Sequence, residues 1–269
     1  VKVSGGMSYG IPLTPDNNYM PDLNNVAEKL EKDGYSMKKV KALIINYPNN
    51  PLGATCTKDY LKKAVEFCKK HNILLISDAA YIDLTFENSP KSHSVFEIPG
   101  AKDIAVEFYS FSKPYSMTGW RIGWVCGNNE AVTILGKLKS TIDTGIYKPI
   151  QKAAADILNS KDGDEYIIEA NKRFERKQKI ITDGLNELGW PIDKINPPRA
   201  TFYLWLPTPN NMKSADFVEM MIEKAHVVVV PGSGYGKYGE GYFRIALTKD
   251  EETLKEAISR IEKAGIKFN

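Results

Sequence analysis

From Ala42 to Cys126 the chain alternates short apolar runs with longer amphipathic or polar stretches. That alternation constrains the fold more than any other feature. Ala42–Ile45, Ile73–Ser77, Ile104–Phe108 and Ile122–Cys126 each have strand length and strand composition. Between the first two, Thr57 to Lys70 places Leu61, Ala64, Val65 and Cys68 on one helical face, with Thr57 as the N-cap. Strands separated by helices long enough to cross over give an α/β sheet that is largely parallel.

Helical periodicity takes over from about 130 to 188. Ile167, Ala170, Phe174, Ile181, Leu185 and Leu188 form a stripe that Lys177 and Gln178 interrupt, which predicts a kink or an exposed stretch. Composition shifts at Gly189-Trp190-Pro191 and again at Asn196-Pro197-Pro198. A smaller C-terminal α/β domain is expected beyond: a strand at Phe202–Leu206, a helix at Ala215–Lys224, strands at Val227–Val230 and Tyr242–Leu247, and a last helix at Asp250–Ala264. The last helix carries Leu254, Ala257, Ile258 and Ile261 on one face. The expected division is a large domain over 1–160, then a connecting helix and small domain over 161–269. The chain opens on Val1-Lys2-Val3, which reads as strand-like.

A length of 269 residues supports a substantial core in one large or two modest domains. The net charge of +3 is small and dispersed, which argues against a nucleic-acid surface. No apolar run is long enough to span a bilayer, and no signal-peptide pattern opens the chain. Cys56, Cys68 and Cys126 make neither a disulfide framework nor a metal-spaced cluster, so a reducing cytoplasm fits best. His71, His93 and His226 are scattered without metal-ligand spacing. His71 reads as the end of a helix, where a cation is favoured.

Chemistry concentrates in Ser110-Phe111-Ser112-Lys113 and in Arg121, eight residues further on. A lysine amine can condense with an aldehyde, while hydroxyls and a forked guanidinium suit a phosphate monoester. Together they suit an aldehyde that carries a phosphate. Asp78 closes an apolar strand, the place where open α/β sheets present ligand-binding groups. Arg244 sits in the strand-like Tyr242-Phe243-Arg244-Ile245-Ala246-Leu247, where alternation turns it opposite to Phe243 and Ile245 and a buried guanidinium needs an anion. Two tempting motifs fail on context. Gly234-Tyr235-Gly236-Lys237-Tyr238-Gly239 leads into a strand rather than the helix of a dinucleotide site, and Gly6-Met7-Ser8-Tyr9-Gly10 leads into Ile11-Pro12-Leu13-Thr14-Pro15, which cannot form a nucleophile-elbow helix.

Four blocks in this order, Asn46-Tyr47-Pro48-Asn49-Asn50-Pro51-Leu52-Gly53, Asp78-Ala79-Ala80-Tyr81, Ser110 to Arg121, and Gly239 to Leu247, resemble the class I/II aminotransferases of fold type I, which use pyridoxal 5′-phosphate (PLP). Asp-Ala-Ala-Tyr, Met117-Thr118-Gly119-Trp120 and Ala200-Thr201-Phe202-Tyr203-Leu204-Trp205 are most similar to the LL-diaminopimelate aminotransferase branch. The resemblance implies Lys113 as the Schiff-base lysine and as the proton carrier of the 1,3-shift. It implies Asp78 as partner of the pyridinium nitrogen, with Tyr81 and Asn50 on the phenolic oxygen. Ser110, Ser112 and Arg121 would take the phosphate, Gly119 would let the backbone come close, and Arg244 would take the substrate's α-carboxylate. The implied reaction moves an amino group between an amino acid and a 2-oxo acid, with diaminopimelate-, aspartate- or alanine-like substrates, in a homodimer. A β-lyase or cyclopropane-forming synthase of the same fold, or a truncated remnant, would carry the same blocks. The resemblance also implies an N-terminal arm, a phosphate-binding loop and a ring-stacking aromatic ahead of Val1, on this polypeptide or a separate one. The 269-residue chain alone is therefore expected to hold PLP loosely and transfer amino groups weakly.

Overall fold

The computed structural model describes residues 1–87, 89, 91–195 and 198–268. Helix α1 (Leu23–Lys32) starts where the Asp22 carboxylate accepts from the backbone N–H groups of Asn24 and Asn25. β1 (Ala42–Asn46), α2 (Lys58–His71) and β2 (Leu74–Asp78) form a right-sized crossover unit. Thr57 caps α2 by accepting from Tyr60 N at 3.1 Å, and Asn72, left-handed at φ 51°, ends it. The four residues expected on one face, Leu61, Ala64, Val65 and Cys68, are all buried, against Leu43, Ile45 and Leu75 of the strands. Burying each larger aliphatic chain contributes about 1.5–3 kcal/mol, which is what holds the helix to the sheet. His71 is the last residue of α2.

β3 (Ala105–Ser110) pairs parallel with β2, and β4 (Gly123–Gly127) pairs antiparallel with β3. The first sheet thus has the order β1-β2-β3-β4, parallel except at one edge. Inside β3, Glu107 is fully buried. Its carboxylate accepts from Ser77 Oγ at 2.8 Å, Val95 N at 3.0 Å, Ser94 Oγ at 2.6 Å and the Tyr109 hydroxyl. A buried carboxylate persists only when so fully bonded, and here it ties β2, β3 and the turn at 94–97 together.

Helices α3 (Asn129–Ile142), α4 (Lys148–Leu158) and α5 (Lys161–Glu187) follow. α5 runs unbroken through Lys177 and Gln178, so the kink read from the sequence is absent. Both residues find partners that let the helix continue: Gln178 Nε2 donates to Pro198 O at 2.8 Å, and the Lys177 ammonium lies 5.6 Å from the Phe174 ring centre. Gly189, at φ 91°, turns the chain so that Trp190 enters the second core, its Nε1 donating to Pro207 O at 3.0 Å. Of the second composition shift, Asn196 and Pro197 lie outside the described residues.

β5 (Tyr203–Pro207), α6 (Ser214–Ala225), β6 (Val230–Pro231), β7 (Tyr242–Ala246) and α7 (Glu251–Lys263) build the second sheet and its cover. The sheet is antiparallel with the order β5-β7-β6. α5 and α7 pack on it through Ile181, Leu185, Leu254 and Ile261, and Tyr81 and Leu84 join the same core from the end of β2. The strand expected at Val227–Val230 shrinks to Val230–Pro231. His226, at φ 54°, ends α6 in a left-handed turn and Val228 points to solvent, so only the last residues reach β7. Val1-Lys2-Val3 is not a strand either. Lys2–Ser4 is a 3₁₀ turn closed by Ser4 N and Gly6 N, both donating to Val1 O, since among the described residues no neighbouring strand offers the alternative partners.

Candidate active site

Three strand ends of the first sheet and the strand β7 of the second meet at one place. Beyond β1, Asn46 acts as a hinge pin. Its Nδ2 donates to Asp78 O at 2.9 Å, and its Oδ1 accepts from Asn50 N at 3.0 Å. Asp78 at the tip of β2 and Asn50 after β1 are thereby fixed relative to each other. The Asp78 carboxylate is half-buried rather than buried, and one oxygen accepts from Ala80 N at 3.2 Å. Among the described residues it has no cationic partner.

Tyr81 follows in the turn after β2 and is buried, its hydroxyl 3.1 Å from the hydroxyl of Tyr203. Burial pushes the Tyr81 phenol well above its ordinary pKa, and the Tyr203 hydrogen bond adds to that. The half-buried Lys113 ammonium lies 5.8 Å from the Tyr81 ring centre and 5.9 Å from that of Phe202. Lys113 belongs to the loop that joins β3 to β4. That loop is closed by Ser112 N donating to Ser110 Oγ at 3.1 Å, Thr118 Oγ1 donating to Ser112 O at 3.0 Å, and Arg121 Nη1 donating to Thr118 O at 2.6 Å. Arg121 is exposed and left-handed at φ 53°, which turns its guanidinium back over the loop. The space a Cβ would occupy at Gly119 is open: apart from its chain neighbours, no heavy atom of the described residues lies within 4 Å.

Arg244 reaches across from β7. Its Nη1 donates to Asn50 Oδ1 at 2.8 Å, and its guanidinium lies 4.1 Å from the Tyr203 ring centre and 5.2 Å from that of Tyr235. It forms no ion pair among the described residues, and its Nε is buried without a hydrogen-bond partner. Contacts therefore run without a break from Lys113 through Tyr81, Tyr203, Arg244, Asn50 and Asn46 to Asp78. Ser110, Ser112 and Arg121 join through the loop that carries Lys113. Reading the sequence alone missed Asn46, Tyr203 and Tyr235 as members. Asn46 and Tyr203 lie inside quoted blocks, and strand alternation put Tyr203 and Trp205 on the face opposite the buried Leu204 and Leu206.

The site brings together an amine, a carboxylate, three phenols, two amides, two hydroxyls and two guanidinium groups, one with an unsatisfied N–H. The sequence profile described as Aminotransferase class I and II matches residues 1–261. The chain belongs to the class I and II aminotransferase family. The chain is 45% identical over 267 residues to LL-diaminopimelate aminotransferase 2 of Trichormus variabilis, covering 99% of this chain and 65% of that protein. It is 41% identical to the LL-diaminopimelate aminotransferase of Moorella thermoacetica, covering 97% of this chain and 64% of the relative. The chain thus spans about 65% of the length of the curated relatives it matches, and the rest of their length belongs to the same polypeptide as the matched part. The solved structure of apo-BacF from Bacillus subtilis superposes with a TM-score of 0.88 at 33% identity, over 97% of this chain and 67% of that one. The fold is the α/β fold type I of this family, whose members imply PLP as cofactor. The residues present fit that group. The carboxylate at the tip of β2 suits a pyridinium nitrogen, the Tyr81 phenol and the Asn50 amide suit a phenolic oxygen, and the hydroxyls and Arg121 suit a phosphate. Among the described residues no helix is long and apolar enough to cross a membrane, and no cluster of metal-ligating side chains occurs.

Proposed function

We propose that this chain carries the amino-transfer site of a PLP-dependent aminotransferase. The observation that carries the proposal is Arg244: a guanidinium held between two tyrosine rings, bonded to Asn50, with a buried Nε that no protein group satisfies. An unsatisfied buried donor on a cation calls for an anion from outside the chain, and an α-carboxylate has the matching charge and geometry.

PLP, when bound, supplies an aldehyde that takes up the amino group and a ring that withdraws electrons. In this reading Lys113 Nζ would be the amine that holds the cofactor's aldehyde carbon and, when free, would carry the proton that leaves the substrate Cα. Asp78 would sit against the pyridine nitrogen and favour its protonated form. Tyr81 and Asn50 donate to the phenolic oxygen, and Tyr81 is suited to donate because burial keeps its phenol protonated. Ser110, Ser112 and Arg121 hold the phosphate. Arg244, with Asn50 orienting it, holds the α-carboxylate so that the Cα–H faces Lys113.

Substrates of LL-diaminopimelate, aspartate or alanine type are proposed, since the relatives at 41–45% identity are named for the first. The proposed organisation is a large cofactor domain over 1–160 and a connecting helix with small domain over 161–269. A homodimer in the cytoplasm is the proposed assembly, with the three free cysteines consistent with a reducing compartment. The test is the half-reaction. Addition of the amino acid alone should bleach the visible band of PLP-loaded protein and release one equivalent of 2-oxo acid, and a second 2-oxo acid should restore the band. Continuous turnover without any 2-oxo acid acceptor would point to a lyase instead and overturn the proposal.

A further inference from the structure

Tyr203 stands at the centre of the site without a role in the chemistry proposed so far. It is 6% exposed, at the start of β5. Its hydroxyl lies 3.1 Å from the Tyr81 hydroxyl, the two rings meeting edge to face at 5.8 Å. The face of its ring lies 4.1 Å from the Arg244 guanidinium. One side chain therefore touches both the phenol directed at the cofactor and the cation directed at the substrate.

Two phenols at this distance share a single hydrogen bond, and each has one hydrogen to give. If Tyr81 donates to Tyr203, the Tyr81 hydrogen is spent inside the protein. If Tyr203 donates to Tyr81, the Tyr81 hydrogen is free for an acceptor in the cleft, and the bond it receives polarises its own O–H. The ring contact is independent of this choice. Arg244 has no carboxylate partner among the described residues, so the electron-rich faces of Tyr203 and Tyr235, together with Asn50, are what hold the guanidinium in place.

We propose that Tyr203 is a positioning residue: its hydroxyl donates to Tyr81 Oη and so directs the Tyr81 hydrogen to the cofactor's phenolic oxygen, while its ring seats Arg244 for the substrate carboxylate. The proposal rests on the PLP reading above, and its two halves separate by substitution. Tyr203→Phe keeps the ring and removes the hydroxyl. Tyr203→Met removes the ring at similar volume.

A hydrogen bond to the phenolic oxygen favours its ionised form, so weakening that bond makes the bound cofactor keep its proton to higher pH. The experiment is a spectrophotometric pH titration of the visible band in PLP-loaded protein, with succinate affinity measured by calorimetry as an unreactive carboxylate probe. Tyr203→Phe should raise the band's midpoint by roughly 0.3–1 pH unit and leave succinate affinity within twofold. Tyr203→Met should show the same spectral shift and bind succinate about five- to tenfold more weakly. An unshifted midpoint in Tyr203→Phe would overturn the hydroxyl role while leaving the PLP reading intact. Unchanged succinate affinity in Tyr203→Met would overturn the ring role. Absence of any cofactor band in the wild-type protein even at saturating PLP would instead overturn the PLP reading, and this proposal with it.

Discussion

Replacing Glu107 with Leu should cost this protein about 4 kcal/mol of stability. The figure follows from what the carboxylate holds. Four donors converge on it: Ser77 Oγ, Val95 N, Ser94 Oγ and the Tyr109 hydroxyl. Removing it leaves a buried backbone N–H at Val95 and hydroxyls at Ser77, Ser94 and Tyr109 without this acceptor, the last two keeping a 3.3 Å contact with each other. Each orphaned buried group costs about 1–3 kcal/mol, although hydroxyls recover part by rotating toward carbonyls. Relief from burying a charge offsets some of the sum, which brings the net to about 4 kcal/mol. Glu107→Gln should cost less, about 1–2 kcal/mol. Its amide oxygen can still accept from Val95 N and Ser77 Oγ, and its NH₂ can face the Tyr109 and Ser94 oxygens, but the charge-assisted strength is lost. Urea unfolding followed by tryptophan fluorescence reads both. With a slope of about 2–3 kcal/mol per molar, Leu should lower the midpoint by roughly 1.5 M and Gln by about 0.5 M. Because Ser77 precedes Asp78 and Tyr109 precedes Ser110, both variants should also weaken PLP binding. A midpoint within 0.3 M of wild type for Glu107→Leu, at unchanged slope, would refute the reasoning, the limit being about 0.6–0.9 kcal/mol on the same slope.

The alkaline side of the stability profile should be steep. Burial raises Cys56 and Cys68 from 9.0 to about 12, and Tyr60 from 10.0 to about 12, with Tyr47, Tyr81 and Tyr109 also raised chiefly by burial. Groups whose folded pKa is raised contribute fully below the unfolded value and lose that contribution as pH rises toward the folded one, so the urea midpoint should be flat up to about pH 8 and fall progressively above about pH 9; a constant midpoint to pH 11 would contradict this. In native protein a thiol reagent should modify Cys126 alone, since Cys56 and Cys68 are buried, and all three only after unfolding; rapid loss of three native thiols would contradict the packing around α2. Asp78→Asn should retain PLP but slow the half-reaction by at least a hundredfold, whereas Arg121→Ala should weaken PLP retention about tenfold with a smaller effect on rate at saturation. Identical loss profiles in the two variants would show that the separate roles are wrong.

Much of this architecture is legible in the residue order. The α2 face, its Thr57 cap, the strands read to end at Ile45, Ser77 and Phe108, each within two residues of the observed end, and the last helix follow from periodicity and capping, which are local properties. What was not legible depends on tertiary partners. Lys177 and Gln178 predict a kink or an exposed stretch in α5, and neither occurs because the Phe174 ring and the Pro198 carbonyl that accommodate them are set by the fold. Val227–Val229 has strand composition, yet the left-handed His226 aims it away from β7. Within the site, Lys113 and Arg121 announce themselves through a dense local block. Tyr203 and Asn46 do not, because their importance lies in contacts with Tyr81, Arg244, Asp78 and Asn50, which only the packing of two sheets brings together.

The central claim, that Lys113 is the residue through which this family member holds PLP, is tested most directly by covalent mapping. Protein incubated with PLP, reduced with borohydride, digested and sequenced by mass spectrometry should carry one pyridoxyl group on the peptide containing Lys113. Lys113→Ala should carry none under the same conditions and lose the visible band. A pyridoxyl group on another lysine, or label retained by Lys113→Ala, would contradict the account.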